Sequence, residues 1–297
     1  LIQKIREKDS WSERTKYDML VFLRQFFKWL NGNEEYPKCV SWYHPKLRQR
    51  HQKLPEELLT QEEVKKVIEA GCDSPQQKFL CSLLWETGAR IGEIGSAKIK
   101  HLSLNGYEGE ITLEGKTGMR RVLLIESVPY AKQHLAFHPF KDDPLAPLFV
   151  LTSHKNKGSA ITYAAARKML QTTMKKAGIK KRFNPHLWRH SRATFLAGYL
   201  KEAQLCQVMG WVVGSKEAST YVHLSHRDVS EAVKTIYGLG KKEKERESIL
   251  KPKICQFCEE TNSAESQECS KCFNPLTLEA AIEKRNQHEQ VLTQAKA

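Results

Sequence analysis

Apolar residues along the first part of the chain recur at three- and four-residue steps. Tyr17, Leu20, Leu23, Phe27 and Leu30 follow Ser10-Trp11-Ser12-Glu13, and Asn31-Gly32 ends the run. That period predicts one amphipathic helix entered through a capping box, with Ser10 and Glu13 satisfying the first free amides. Met19, Phe22 and Phe26 widen the apolar stripe, so the helix is expected to pack on more than one neighbour. A small helical domain over 1–48 follows, and Lys46–Pro55 (KLRQRHQKLP), basic and closed by proline, reads as a linker.

A second domain is predicted over 56–240. Thr60-Gln-Glu-Glu63 caps a helix carrying Val64, Val67 and Ile68. Ser74-Pro75 opens another that carries Phe79, Leu80, Leu83 and Leu84 and stops at Thr87-Gly88. A short helix runs through Ile91 and Ile94. From 99 to 126 the period changes to strand-like alternation: IKHLSL, GEITLE and RRVLLIE, with Gly115-Lys116-Thr117-Gly118 as the turn of a hairpin. Helices are expected again near 128–137, 162–177, 185–200, 202–209, 216–224 and 226–237. The fold class is therefore mainly α, an α+β arrangement with a small antiparallel sheet set into a mostly helical domain of about 180 residues. A charged linker (KKEKERESILKPK), a cysteine ribbon over 253–275 and a last helix within 276–297 complete the chain.

Composition narrows the function classes. The 297 residues are 40% hydrophobic and 9% aromatic, which excludes wholesale disorder. No apolar run approaches the roughly 18 residues of a membrane span, and no signal-peptide pattern is present. The chain is expected to be soluble and cytoplasmic, and its start at Leu1 suggests a natural N-terminus that has been cut away. Lys and Arg number 48 against 34 Asp and Glu, a formal charge of +14. Such an excess calls for a polyanion, because neutralising phosphates releases counterions; double-stranded DNA is the leading partner.

The cysteines fall into two sets. Cys39, Cys72, Cys81 and Cys206 are scattered in apolar or helical surroundings, where a free thiol behaves as a small hydrophobe. Cys255, Cys258, Cys269 and Cys272 form two C-x-x-C pairs, so two tight turns can offer four thiolates to one tetrahedral ion. The expected ligand is a structural Zn2+ with no open coordination position. A pair of disulfides is the other arrangement of these residues.

Two clusters carry candidate chemistry. In Thr87-Gly-Ala-Arg-Ile-Gly-Glu93, Arg90 starts a helix after a glycine turn, where a guanidinium can fork to two phosphate oxygens or pair with Glu93. In Asn184-Pro-His-Leu-Trp-Arg-His190, Asn184 is the N-cap and Pro185 the first helical residue. His186, Arg189 and His190 then share a face beside a helix N-terminus, an arrangement suited to phosphate.

The order TGARIGE, GKTGMRR, HLWRH, MGW and STYVHLS over a basic chain resembles the tyrosine recombinase (phage integrase) family across about residues 10–240. The ribbon is similar to those appended to archaeal members. The resemblance implies a core-binding (SAM-like) domain followed by a catalytic domain, with Arg90, Arg189, His186 and Lys116 on the family's catalytic positions. Tyr221 falls on the nucleophile, Trp211 where a second histidine is usual, and Glu93 and His190 on supporting positions. The spacing from Trp211 to Tyr221 is about one residue longer than the family pattern. Tyr199 and Tyr237 are the competing tyrosines and are expected to pack in the core.

What the resemblance implies is a site-specific DNA recombinase. Tyr221 attacks the phosphodiester, giving a 3′-phosphotyrosyl intermediate without metal or ATP. Arg90, Arg189 and His186 hold the nonbridging oxygens, and Lys116 protonates the leaving 5′ oxygen. Trp211 donates one N–H and packs on Tyr221 but is no base, so proton removal rests on His186 or on water. Lys155, Lys157, Arg167, Lys168 and Arg192 are expected to line the DNA path. A tetramer on DNA and nucleoid association follow from the same resemblance. A non-cutting DNA-binding protein on this fold, and a type IB topoisomerase-like enzyme, are the alternatives.

Overall fold

The computed structural model describes residues 1–46, 55–116, 118–152, 157–215, 217–218, 220–221, 237 and 248–294. Two units divide between Leu54 and Pro55. The first holds α1 (Ile2–Arg6), α2 (Glu13–Leu30) and α3 (Lys38–Ser41). The cap of α2 is Ser12, whose hydroxyl accepts the Thr15 amide, so the expected Ser10–Glu13 box is displaced by one serine. Of the apolar stripe on α2 only Leu20 is buried; Met19, Phe22, Phe26 and Trp29 remain exposed. The helix packs on α1 and on α3, as expected, and leaves this part of its apolar stripe uncovered among the described residues.

The second unit runs from Pro55 onward. Helix α4 (Gln61–Lys66) begins with the Thr60–Glu63 capping box and ends in a wider π turn, Val67–Gly71. Helix α5 (Pro75–Thr87) is capped by the Ser74 hydroxyl, and Phe79, Leu80, Leu83, Leu84 and Trp85 are all fully buried along it. An apolar helix of this kind is a core element rather than a surface one. It stops at Gly88, in the left-handed conformation (φ +57°), where a Cβ would press on the Met209 thioether.

Helix α6 (Ile91–Gly95) leads into a 3-10 turn over Ile99–His101, so only the second half of IKHLSL is a strand. The sheet is a three-stranded antiparallel meander of β1 (Leu102–Asn105), β2 (Glu108–Gly115) and β3 (Gly118–Leu124). Its register pairs Ile111 with Val122 and Leu113 with Arg120. Side chains alternate across a strand, so Ile111, Leu113, Val122 and Leu124 face the core, while Arg121 and Leu123 face outward.

Helices α7 (Val128–Ala136), α8 (Tyr163–Lys176), α9 (Pro185–Ala197) and α10 (Glu202–Met209) follow. The buried Glu86 carboxylate fixes the turn into α7 by accepting the amides of Ile125 (2.6 Å), Glu126 (2.8 Å) and Ser127 (2.9 Å). Burial, with Glu126 nearby, raises its pKa. Of the helix expected over 216–224, residues 217–218 and 220–221 are helical. The helix expected over 226–237 lies outside the described residues except for Tyr237. Both competing tyrosines correct the expectation of core packing: Tyr199 and Tyr237 are exposed.

The chain re-enters at Ser248, which is no longer linker. Its hydroxyl donates to Glu126 (2.5 Å) and accepts from Gln61 (3.0 Å), and Leu250 joins the core. The ribbon strands β4 (Lys253–Ile254) and β5 (Thr261–Asn262) pair antiparallel. Tyr130 of α7 donates to Glu265 (2.6 Å) and Lys132 pairs with Glu260 (2.6 Å), docking the ribbon on α7. A last helix, α11 (Leu278–Gln294), ends the described chain. No described helix is long and apolar enough to cross a membrane.

Candidate active site

Arg90 is the N-cap of α6, placed by the left-handed Gly88 two residues before it. Glu93, buried at the third position of the same helix, binds back twice: its carboxylate accepts the Arg90 amide (3.1 Å) and Arg90 Nη1 (2.7 Å). A second guanidinium reaches the same carboxylate, Arg120 Nη2 at 2.8 Å, while Arg120 Nε donates to the Val208 carbonyl (3.0 Å). Burial alone would raise the Glu93 pKa; the hydrogen bonds from Arg120 and from the Arg90 amide outweigh it and hold it low. Glu93 thus ties α6, β3 and the end of α10 together. Gly210 is required at that junction, since a Cβ there would meet Arg120 at 2.9 Å on a backbone with φ +63°.

Arg189 projects from α9 into the buried side of the same junction. Nη1 donates to the Gly88 carbonyl (2.8 Å), Nη2 to the Met209 carbonyl (2.6 Å), and the guanidinium lies 5.2 Å from the Trp211 ring centre. Its pKa falls to about 10, chiefly through burial and then through the like charge of Arg90. Asn184 caps α9 as expected, accepting the His186 amide (2.9 Å). Arg90, Glu93, Lys116, Tyr163 and His186 line one cleft of about 530 Å³. Lys116 is exposed at the hairpin turn and His186 at the start of α9.

Tyr221 is 8% exposed, and its hydroxyl hydrogen-bonds His190 Nδ1. Its ring stacks on Trp211 (5.2 Å between centres, 12°) and lies 5.8 Å from the His190 ring at 28°. Burial raises the phenol pKa to about 12; Arg189 lowers it and Glu217 raises it further. The long spacing from Trp211 to Tyr221 therefore still delivers the tyrosine to α9.

The structure brings together Arg90, Glu93, Arg189, His190, Trp211 and Tyr221, with Lys116 and His186 on the adjoining cleft. Arg192 is corrected. It is 9% exposed, its Nε donates to the Glu86 carbonyl (3.0 Å), and its guanidinium lies over Trp85 and Phe195, so it packs between α5 and α9 instead of standing on an exposed basic face. Lys157, Arg167 and Lys168 are exposed, Arg167 over the Phe183 ring; Lys155 lies outside the described residues. Sequence reasoning passed over Arg120, yet the strand period held the signal, since Arg120 is in phase with the inward Val122 and Leu124.

The four ribbon sulfurs lie within 4.8 Å of one another. Cys255 and Cys258 approach Cys272 at 3.5 and 3.3 Å, and Cys258 is 3.5 Å from Cys269. A tetrahedral ion with metal–sulfur bonds of about 2.3 Å needs sulfur–sulfur edges of about 3.8 Å. The Lys271 amide (3.5 Å) and Asn262 side chain (3.7 Å) point donors at Cys269 Sγ, and Asn274 at Cys272 Sγ (3.4 Å). Donors aimed at sulfur favour thiolates, so the donor set fits a metal. Of the other thiols, Cys72, Cys81 and Cys206 are buried as expected, whereas Cys39 is exposed.

Known proteins resemble the chain in sequence and in fold. The sequence pattern of the phage integrase family matches residues 57–226. The chain is 29% identical over 246 residues to the tyrosine recombinase XerA of Pyrococcus furiosus, covering 78% of this chain and 77% of that protein. It is 31% identical over 192 residues to the tyrosine recombinase XerC of Lactobacillus delbrueckii subsp. bulgaricus, 60% of this chain and 62% of that one. Its fold is shared with the XerH site-specific recombinase bound to palindromic difH substrate in a post-cleavage complex: TM-score 0.58, 24% identity, 78% of this chain and 69% of that one.

Proposed function

The chain belongs to the phage integrase family and is a site-specific tyrosine recombinase, and from that premise we propose that it cleaves and rejoins duplex DNA through a 3′-phosphotyrosyl bond on Tyr221. The observation that carries this reading is the burial of the Tyr221 hydroxyl against α9, beside Arg189 and stacked on Trp211. The hydroxyl oxygen attacks phosphorus, the bond to the 5′ oxygen breaks, and Lys116 from the hairpin turn supplies the proton to the leaving oxygen. Arg90, Arg189 and His186 stabilise the added charge on the nonbridging oxygens, a task side-chain cations perform without a metal or ATP. Lys155, Lys157, Arg167 and Lys168 contact the backbone around the site, and four protomers act together on two duplexes at the nucleoid.

The ribbon binds Zn2+ as a structural ion held by Cys255, Cys258, Cys269 and Cys272. Its own residues argue against a DNA-contacting role. Glu259, Glu260, Glu265 and Glu268 outnumber Lys253 and Lys271 in a chain of net +14, and four thiolates on a divalent ion add further negative charge. Docking on α7 through Glu260 and Glu265 fits a clasp on the catalytic domain.

Covalent trapping tests the reaction: protein with nicked suicide duplexes drawn from a random library, without divalent metal, resolved on denaturing gels beside Tyr221→Phe. A protease-sensitive adduct that requires Tyr221 is expected. An equal adduct from Tyr221→Phe overturns the assignment, and salt-sensitive binding with no adduct from any duplex favours the non-cutting protein. Relaxation of supercoils by isolated protomers would favour the topoisomerase-like enzyme.

A further inference from the structure

Attack by Tyr221 requires that its proton leave, and the surroundings restrict where it can go. The phenol is 8% exposed, and its pKa of about 12 leaves almost none of it ionised at neutral pH. Bulk water has little access to the hydroxyl. Trp211, the nearest stacked ring, carries a donor N–H and no acceptor. Arg189 and Arg90 are donors only, and the Glu93 carboxylate is already taken by two guanidinium groups. His186 opens onto the cleft with Lys116 and Arg90, its ring 6.2 Å from that of His190. The hydrogen bond to the Tyr221 hydroxyl is made by His190 Nδ1, one turn further along α9.

Resting on the recombinase reading above, we infer that His190 is a catalytic residue, the base that takes the Tyr221 proton during cleavage and returns it during rejoining. In cleavage the O–P bond forms at Tyr221, its hydroxyl proton moves to Nδ1 of a neutral His190, and the bond from phosphorus to the 5′ oxygen breaks, that oxygen taking its proton from Lys116. Rejoining runs the same transfers backward, so no outside acid, base or co-reactant is consumed. The i, i+1 relation of Arg189 and His190 has a consequence: one helix supplies both the cation that stabilises the phosphate and the base that activates the attacking oxygen. The His186 ring lies 6.2 Å from that of His190, and Arg189 and Glu217 act on the Tyr221 phenol, so the charged and titratable groups facing the hydrogen-bonded pair are His186, Arg189 and Glu217.

The test is single-turnover adduct formation on a suicide duplex, followed from pH 5 to 9, for the parent, His190→Gln and His190→Ala. A positioned base contributes on the order of 10²–10⁴-fold, so His190→Gln is expected to cleave about 10²-fold more slowly. Binding of the uncut duplex and thermal melting should stay close to the parent. The low-pH limb of the parent profile should vanish from the residual activity, and imidazole should restore cleavage to His190→Ala. Cleavage by His190→Gln within threefold of the parent overturns the inference. So does a loss of rate that keeps the low-pH limb and is not restored by imidazole, which would assign His190 a packing role. Either result leaves the recombinase reading standing, because that reading fails only if Tyr221→Phe still forms the adduct.

Discussion

Replacing Glu93 by glutamine removes one charge from the centre of the site while keeping its shape. The carboxylate is 5% exposed and receives three hydrogen bonds, two from guanidinium groups. The Arg120 partner is itself buried, its side chain 8% exposed. Breaking a buried pair by neutralising one member costs about 3–5 kcal/mol. Glutamine retains one acceptor oxygen, so the lower end, about 3 kcal/mol, is the expectation. For a domain of this size each kcal/mol moves the melting temperature by roughly 2–4 °C, giving a fall of about 6–12 °C.

The pH dependence has a definite sign. The Glu93 pKa is held below its ordinary 4.5, so its contribution is full above that value and is lost as pH falls through the lower folded value. The gap between parent and Glu93→Gln should therefore close below pH 4.5. Calorimetry at pH 7 and at pH 4 measures both effects, and trapping assays should show slower adduct formation from a poorly held Arg90. A melting temperature within 2 °C of the parent at pH 7 would refute the view that this carboxylate holds the site together.

Histidine 134 gives an acid-side prediction of the opposite chemical type. Burial lowers its pKa from 6.5 to about 4, so below pH 6.5 the unfolded chain takes up a proton the folded one refuses. Stability should fall by about 3 kcal/mol between pH 6.5 and 4 on this account. His134→Gln, which can still donate to the Leu148 carbonyl, should show a shallower loss in calorimetry, and an unchanged acid slope would exclude the effect. Removal of the ribbon metal by a chelator, or Cys269→Ser, should lower the melting temperature by several degrees and expose 248–294 to protease. The salt slope of DNA binding should be unmoved, and equal protease resistance with and without metal would show that the ion does not hold the clasp.

The elements were legible where local rules act alone. Thr60, Ser74 and Asn184 cap their helices as their spacing predicts, and the two-residue period of β2 and β3 sets the sheet. The site was legible as a set of residue types near helix starts, because Arg90 and Asn184 mark those starts. Long-range satisfaction was not legible. Arg192 shares the face of α9 with Arg189, so helical phase alone cannot tell a phosphate ligand from a structural cation. Its Nε meets the Glu86 carbonyl in the last turn of α5, a place where helix ends attract positive charge. That contact spans about a hundred residues and has no local signature. The partner of the Tyr221 hydroxyl is another such case: the heptapeptide Asn184–His190 offers two histidines, and only the approach of the chain near 221 selects between them.

The charge balance of the site makes phosphate and base depend on each other. Arg189 has a pKa of about 10 instead of 12.5 because it is buried and near Arg90. That shift corresponds to about 3 kcal/mol carried against the charged form. In the reaction proposed above, a phosphodiester between Arg90 and Arg189 would bring the opposite charge and offset that penalty. The same anion, lying against the Tyr221 hydroxyl, withdraws the help that Arg189 gives to phenol ionisation. Burial already sets that phenol near 12, and a neighbouring negative charge raises it further. Binding the phosphate thus makes spontaneous loss of the tyrosine proton harder at the moment it is needed. A neutral acceptor already in contact with the hydroxyl removes the conflict, since the proton can move as the O–P bond forms and no free phenolate has to be made beside the phosphate.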